Sequence, residues 1–369
     1  MVFCALDSLL RKLASDELQH EFNTIPKKRH SAGTSTSQLL ENQKRNRNQN
    51  IVPYEDTRVM LHPHRKNKTG YINASNVQIP LGNKMFRYVI TQTPLQETIE
   101  DFWQSVWETG TQVVVMLCEQ LEVRKHSNVP FYWPTTSKRK LTLNDFSVRM
   151  NAITMGKNQI TTILTLKCTS SGERRTVYHM RYTALDSRTG VPHSEDSFLG
   201  FIDAVNSVKR HIENEKMLES DSGMSSSSRS KSRSRSTSRI NLSDVTNRVR
   251  SQSMDLSMRR RLQLSNRTMT VSIHSDASSE CSCSSWIPPP IPTIESLPIL
   301  VVCLDGGNES GLYVLVEALI HCFEQNINVD IARTLNILRQ QRMNLIRTFE
   351  QYRFAYSLIT NYLRKSRLI

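Results

Sequence analysis

The chain has 369 residues, of which 38% are hydrophobic and 22% charged, with a formal net charge of +14. This length is enough for one large globular domain and a further segment, and the composition is not that of a fibrous or membrane protein. No run of about 18 apolar residues predicts a membrane-spanning helix, and the N-terminus lacks the apolar stretch of a secretory signal.

Apolar periodicity predicts helices and strands through most of the chain. The predicted helices span 9–22, 95–108, 195–212, 311–325, 332–344 and 349–363. The predicted buried strands span 113–117, 161–167, 178–183 and 299–303. Such a mixture predicts an α/β domain in which a sheet is covered by helices.

Residues 217–297 interrupt this pattern with a segment rich in serine and arginine. The stretch from Ser225 to Arg261 contains ten Lys or Arg and two acidic residues, so it carries +8 of the total +14. A composition of this kind buries too little apolar surface to fold. The sequence therefore predicts one domain formed by residues 1–216 and 298–369, with a long disordered insert between them.

The predicted insert has three interpretations, the first being a solvated loop of no fixed role. The second is a phosphorylation array, because Ser251 and Ser253 stand in a basic context that resembles a site for basophilic kinases and phosphoserine-reading adaptors. The third rests on the alternating Arg-Ser run, which resembles splicing-factor tails that contact RNA or enter the nucleus. No RNA-binding module accompanies that run, so nucleic-acid binding is the less favoured interpretation.

Cysteine usage favours a reducing compartment. The seven cysteines stand at 4, 118, 168, 281, 283, 303 and 322, without the regular spacing of a disulfide framework. The pair at 281 and 283 lacks a second pair or histidines for zinc, so the sequence predicts no metal and no cofactor.

Six segments carry a family resemblance, and they occur in the family's order. They are 51–61 with 71–75, 88–95, 98–108, 113–117, 132–134 and 338–354. Together they resemble the protein tyrosine phosphatases of the phosphotyrosine-specific type. The resemblance implies a twisted mixed central sheet flanked by helices, with a catalytic cysteine at the end of a buried strand.

The segment 297–311 resembles that family's catalytic loop, His-Cys-x-x-Gly-x-x-Arg-Ser/Thr-Gly. The resemblance assigns the nucleophile, the two glycines and the hydroxyl residue to Cys303, Gly306, Gly311 and Ser310. It puts Glu309 where the family has its phosphate-binding arginine. An ionised glutamate offers phosphate no donor, and Asp305 adds a second carboxylate to the same turn. We expect the loop to repel phosphate and to disfavour a thiolate at Cys303.

The rim of the pocket departs from the family as well. Family members carry a tyrosine that stacks on the substrate ring, followed two residues later in many members by an acidic residue that holds the substrate backbone. The resemblance puts Asn48 and Asn50 at these positions. Asparagine has no aromatic face for stacking.

The residues that transfer protons in the family are also replaced. The general-acid loop keeps Gly190-Val-Pro, but the resemblance puts Arg188 at the acid, and Asp186 is the nearby carboxylate in a shifted register. The glutamine that orients water falls on Arg347, whereas the second glutamine of that motif is kept as Gln351. No competent set of acid, base and nucleophile emerges.

These losses predict a pseudophosphatase, a scaffold, regulator or competitor in tyrosine-phosphorylation signalling. Its expected partners are kinases or tyrosine-phosphorylated proteins, and its expected location is the cytoplasm, with nuclear entry through the insert. Three alternatives stay open: a phosphatase with residual activity through Cys303, a rewired pocket with Arg188 and Arg347 that holds a cation or zwitterion, and an adaptor whose insert binds nucleic acid or anionic membrane.

Overall fold

The computed structural model describes residues 2–118, 129–136, 138–223 and 294–366. It begins with α1 (Val2–Ala14) and α2 (Glu17–Thr24), where the sequence predicted one helix over 9–22. The break falls at Ser15, whose hydroxyl donates to the Lys12 carbonyl at 3.2 Å and so competes with the helical pattern. Two short helices, α3 (Ser35–Gln38) and α4 (Leu40–Gln43), follow.

The described residues form a ten-stranded sheet. Its strands are β1 (Arg58–Met60), β2 (Tyr71–Leu81), β3 (Lys84–Gln92), β4 (Val113–Met116), β5 (Lys140–Thr142), β6 (Phe146–Met155), β7 (Gln159–Cys168), β8 (Arg174–Tyr182), β9 (Ile294–Glu295) and β10 (Ile299–Cys303). All four predicted strands are present, with ends that differ by at most a few residues: 113–117, 161–167, 178–183 and 299–303. The order is β1-β2-β3-β10-β4-β8-β7-β6-β5, and β9 pairs with β3.

The last strand of the chain lies at the centre of this sheet. β10 runs parallel to β3 and β4, with Val301 opposite Ile90 and Val115. Every residue of β10 is buried, as expected for a parallel strand that is covered on both faces. Ile299, Val301 and Cys303 face one apolar cluster and the residues between them face the other, so the sheet has a core on each side.

The remaining helices cover the sheet. They are α5 (Ile99–Glu108), α6 (Glu195–Gly223), α7 (Asn308–Glu324), α8 (Ile331–Gln341) and α9 (Phe349–Lys365), and a 3-10 turn (Gln96–Thr98) precedes α5. α7 begins three residues before the predicted Gly311, and the Gly311 N–H already bonds the Gly307 carbonyl at 2.9 Å. α8 ends before the predicted 344, since Asn344 and Ile346 adopt positive φ angles. No helix of the described segments is long and apolar enough to cross a membrane.

The ordered elements reach into both ends of the predicted insert. α6 continues to Gly223, past the predicted end at 212, and residues 214–219 are exposed, so this part of the helix leaves no apolar periodicity. At the other end β9 pairs with β3, and Ser296 and Leu297 are buried. The remainder of the insert, including Ser251 and Ser253, lies outside the described residues.

Candidate functional site

The turn between β10 and α7 is built around a left-handed glycine. Gly306 has φ +70°, and a Cβ there would lie within 3.0 Å of the Arg342 guanidinium and of the backbone of residues 91–92. Only glycine fits a position that combines this φ with such close contacts. The turn therefore carries the chain from buried Cys303 directly into the first turn of α7.

Cys303 and two carboxylates meet inside this turn. The Cys303 sulfur and one oxygen from each of Asp305 and Glu309 all lie within 4.8 Å of one another, and the sulfur is 4.0 Å from Asp305 Oδ1. Burial, and then the charges of Glu309 and Asp305, raise the pKa of the Cys303 thiol well above its ordinary value. The thiol is therefore in its unreactive protonated form at neutral pH.

Both carboxylates lie near backbone N–H groups at the start of α7. Asp305 Oδ1 accepts the Gly307 N–H at 3.0 Å, and the Glu309 carboxyl lies near enough to its own backbone N–H for this dipole to oppose the effect of burial on its pKa. The N-terminus of a helix favours an anion, because its free N–H groups and the helix dipole point there. The position that would favour a bound anion is thus filled by side chains of the turn itself. Burial nevertheless raises the pKa of Glu309 above its ordinary value.

Arg347, which lies just before α9, binds the turn between β10 and α7. Its Nη2 lies 2.6 Å from Asp305 Oδ2, and its N and Nε donate to Asn308 Oδ1 at 2.9 and 3.1 Å. The side chain at the glutamine position of the resemblance is therefore engaged in an ion pair with a residue of the turn.

Gly311 and Ser310, the other two residues that the resemblance assigns to the catalytic loop, are buried and closely packed. A Cβ on Gly311 would approach Leu345 and Ile346 of the segment between α8 and α9, so this helix–loop contact requires glycine. The hydroxyl of Ser310 is buried and faces the Cys303 sulfur. It has no further hydrogen-bond partner in the described part of the chain.

Asp186 organises the loop 185–192 and does not point a free carboxyl into the site. Its Oδ1 accepts the N–H groups of Arg188 and Thr189 at 3.1 and 2.8 Å and the Thr189 hydroxyl at 2.9 Å. These hydrogen bonds, from Thr189 first, lower the pKa of Asp186. The Arg188 side chain is exposed. The Asp186 carboxylate therefore caps a turn of its own loop, whichever way the loop is aligned with the family's general-acid loop.

The same loop closes over Glu309 through Gly190. A Cβ on Gly190, which has φ +67°, would lie within 3.0 Å of Glu309 Oε1 and of Gln351 Nε2. Gln351 Nε2 also donates to the Thr189 carbonyl at 3.2 Å. Gln351 is fully buried, and its Oε1 has no hydrogen-bond partner among the residues described. Gly190, Glu309 and Gln351, which belong to three separate segments of the chain, are thus brought together.

Asn48 and Asn50 lie on a turn at the rim. The Asn48 side chain accepts the Asn50 N–H at 2.9 Å, and the Asn50 carbonyl accepts Asn344 Nδ2 at 2.7 Å. The turn is held by polar contacts, and neither side chain offers an aromatic face. The neighbouring Arg47 donates to the Thr93 and Pro94 carbonyls.

Arg342, which the sequence did not mark as a site residue, binds the turn between β10 and α7 through the Gly306 carbonyl. This arginine is fully buried, and it donates to the Gly306 carbonyl at 2.6 Å, to Ser75 Oγ at 3.1 Å and to Asn73 Oδ1 at 2.9 Å. Burial lowers the pKa of its guanidinium to about 10. The only signal in the sequence is that Arg342 stands beside the largely apolar run 343–346, and this does not distinguish a buried arginine from an exposed one.

Comparison with known proteins places the chain among tyrosine phosphatases. The sequence profile described as protein-tyrosine phosphatase matches residues 42–258 and 270–361. The chain is 30% identical over 367 residues to tyrosine-protein phosphatase non-receptor type 14 from Homo sapiens, covering 98% of this chain and 24% of that protein. It is 31% identical over 364 residues to the type 21 protein from Rattus norvegicus, covering 98% and 24%. The chain thus spans about a quarter of the length of these relatives.

Proposed function

The chain belongs to the protein-tyrosine phosphatase family, and we propose that it keeps the fold of that family without the hydrolysis. It would act as a scaffold, regulator or competitor in tyrosine-phosphorylation signalling. One observation carries the proposal. At the arginine position of the resemblance stands Glu309, whose carboxylate lies beside Cys303 and closes the helix N-terminus where phosphate would bind.

The neighbouring arginines do not supply the missing donor. Arg347 is paired with Asp305, and Arg342 donates to Gly306, Ser75 and Asn73 behind the turn. A phosphate dianion beside Cys303 would therefore face the carboxylates of Asp305 and Glu309, and the Arg347 guanidinium there is already paired with Asp305. Like charges about 5 Å apart in a partly buried site repel by a few kcal/mol at an effective dielectric near 20.

Proton transfer is weakened as well. Asp186 is engaged in capping its own turn, and Arg188 is exposed. A general acid contributes roughly 10²–10⁴-fold to a reaction rate and a positioned donor roughly 10²–10³-fold. Because such groups act as a unit, loss of several of them removes nearly all of the acceleration.

The first test is hydrolysis by the full chain after removal of metals with a chelator. We expect no turnover of an aryl phosphate or a phosphotyrosine peptide above that of the Cys303→Ser protein. Glu309→Arg alone is expected to restore little, since Asn48, Arg188 and Arg347 remain. Turnover by the unmodified chain that disappears in Cys303→Ser would overturn the proposal and favour the phosphatase alternative.

The second test is binding of phosphotyrosine. Titration calorimetry with a phosphotyrosine peptide should give a dissociation constant no tighter than about 1 mM, which is about −4 kcal/mol. The same peptide without phosphate is the control. Micromolar binding that requires the phosphate would show a phosphate-trapping pocket and contradict the proposed role of Glu309.

A phosphatase with residual activity is the second candidate, and the packing of the turn favours it. Gly306, Gly311 and Gln351 all occupy close-packed positions, and Cys303 ends the central strand. The shape of the turn is therefore compatible with the chemistry that its charges oppose. The hydrolysis assay separates the two candidates directly.

Partners and regulation follow from the family and from the insert. We infer binding of kinases or tyrosine-phosphorylated signalling proteins in the cytoplasm, because the relatives are non-receptor phosphatases.

The basic insert is proposed to be phosphorylated at Ser251 and Ser253 and then to bind phosphoserine-reading adaptors; binding of nucleic acid or anionic membrane is the alternative. Each phosphate adds about −1.5 to −2 charges, so four or five would cancel the +8. Phosphopeptide mapping of the protein isolated from cells tests this regulation.

A further inference from the structure

The turn after β10 gathers three side chains that are good metal ligands. Cys303, Asp305 and Glu309 each offer one atom, and these atoms lie within 4.8 Å of one another. In tetrahedral zinc, with Zn–S near 2.3 Å and Zn–O near 2.1 Å, sulfur and oxygen lie about 3.6 Å apart. The Cys303 sulfur is already 4.0 Å from Asp305 Oδ1. Small side-chain adjustments are therefore enough to bring all three atoms around one ion.

Two buried polar groups at the same place support a ligand there. Gln351 Oε1 is fully buried and without a partner among the described residues, and the Nε2 of the same amide lies near Glu309 Oε1 at Gly190. The buried Ser310 hydroxyl faces Cys303 and has no other partner in the same set. Buried polar atoms in folded proteins are almost always satisfied by protein, water or an ion. The Ser310 hydroxyl beside Cys303 and the Gln351 amide beside Glu309 thus border the three side chains with polar groups that can bond a water on a bound ion.

We propose that Cys303, Asp305 and Glu309 form a zinc-binding site. A thiolate ligand selects a borderline-soft divalent ion over magnesium or calcium, which prefer oxygen ligands. Three protein ligands leave a fourth position for water. When the ion binds, the S–H bond of Cys303 breaks, a Zn–S bond forms, and the proton leaves to the solvent.

The surroundings of Asp305 suit this role. Its Oδ1, the oxygen nearest the sulfur, accepts the Gly307 N–H, and its Oδ2 is held by Arg347. Such hydrogen bonds orient a ligating carboxylate and raise metal affinity. Arg347 also balances one negative charge of a site that contains three anionic ligands and one divalent ion.

The proposed zinc site and the proposed loss of hydrolysis rest on the same turn, but each can fail without the other. Hydrolysis is measured on metal-free protein, whereas the zinc site is measured by the metal alone without a substrate. A metal-free protein that hydrolyses phosphate would leave the zinc result unchanged. Conversely, a chain that does not bind metal would still be expected to show no hydrolysis.

The test is titration of the metal-free full chain with Co²⁺ and then with Zn²⁺. We expect one Co²⁺ per chain with the charge-transfer absorption of a cobalt–thiolate bond, and its displacement by one Zn²⁺. Cys303→Ser should abolish the absorption, and Glu309→Gln should weaken binding roughly 100-fold or more. A Zn²⁺ concentration that saturates the unmodified chain should raise its melting temperature, and should raise that of Glu309→Gln much less and that of Cys303→Ser not at all.

The control is the double change Cys281→Ser and Cys283→Ser, which removes the other close pair of thiols in the chain. This protein should keep the cobalt–thiolate absorption. Absence of the absorption in the unmodified chain would overturn the proposal. So would its persistence in Cys303→Ser, its insensitivity to Glu309→Gln, or its loss in the double control variant. If Cys303→Ser does not fold, Glu309→Gln alone decides the result.

Discussion

At the residue scale, Glu309 puts an acidic side chain into the turn that follows β10. Its carboxylate lies beside Cys303 and in close contact with Gly190. Burying such a group disfavours its ionised form, because few compensating charges replace the lost water. The fold therefore tolerates Glu309 at a cost in stability that depends on pH.

Removal of this charge should stabilise the protein at neutral pH. Because burial raises the pKa of Glu309, the folded chain binds the proton more tightly than the unfolded chain. Stability from this group is highest at low pH and is lost as the pH rises through the raised pKa. In metal-free buffer we expect Glu309→Gln to gain on the order of 1 kcal/mol at pH 7.5, or about 2–4 °C in melting temperature, and to gain nothing near pH 4.

The matched control is Glu173→Gln, which removes one negative charge from an exposed turn. Thermal unfolding of both variants at several pH values gives the comparison. A Glu309→Gln protein that is less stable than the unmodified chain at pH 7.5 would mean that the ionised carboxylate is favourable in place.

At the element scale, the loop 185–192 has become a structural cover. Asp186 caps its turn, and Gly190 contacts both Glu309 and Gln351. A loop that carries a general acid must present the acid to the substrate, but this one directs its carboxylate to its own backbone. Its contacts with α7 and α9 hold these elements together above Cys303.

The fit of this loop predicts a strong effect of Gly190→Ala. The new Cβ would contact Glu309 and Gln351 and would require φ +67° of a non-glycine residue. We expect a loss of about 2–4 kcal/mol in denaturant unfolding, from backbone strain and overpacking together. Gly172→Ala is the control, since Gly172 has φ +72° with nothing within 4 Å of a Cβ, and it should cost only about 1 kcal/mol. Equal losses at the two positions would contradict the packing that we describe.

The sequence predicts helices and strands well where apolar residues recur regularly. It predicts poorly which side chains contact one another between elements. The strand Ile299–Cys303 is found as predicted, because five consecutive apolar residues mark a strand buried on both faces. The role of Asp186 and the pairing of Arg347 with Asp305 could not be predicted, since each depends on contacts between or within irregular segments. Arg342 was missed because a fully buried arginine is rare, and its acceptors are distant in sequence.

At the scale of the whole molecule, the basic insert separates two parts of one sheet. α6 ends at Gly223, and β9 begins at Ile294 against β3. The composition between them predicts a segment that adds no packed core, and loop-closure entropy grows slowly with loop length. The domain should therefore tolerate a much shorter connection.

Replacement of residues 224–292 by a short Gly/Ser linker should leave the melting temperature within about 5 °C of the full chain. Limited proteolysis of the full chain should cleave within the same range first. A second deletion that extends to residue 297 is the comparison, because it also removes β9 and the buried Leu297. We expect this longer deletion to melt at a lower temperature. A protected insert, or equal destabilisation by both deletions, would show that the insert packs on the domain.

The central position of β10 has a consequence for the order of folding. β3 and β4 are each bonded to β10 and not to one another, so the sheet stays in two halves until residues 299–303 have been synthesised. Unpaired strand edges of this kind favour association with other chains. A ribosome that stops within the insert would release a product with two open edges, which is prone to aggregate. The C-terminal segment, less than a quarter of the chain, therefore joins the two halves into one cooperative unit.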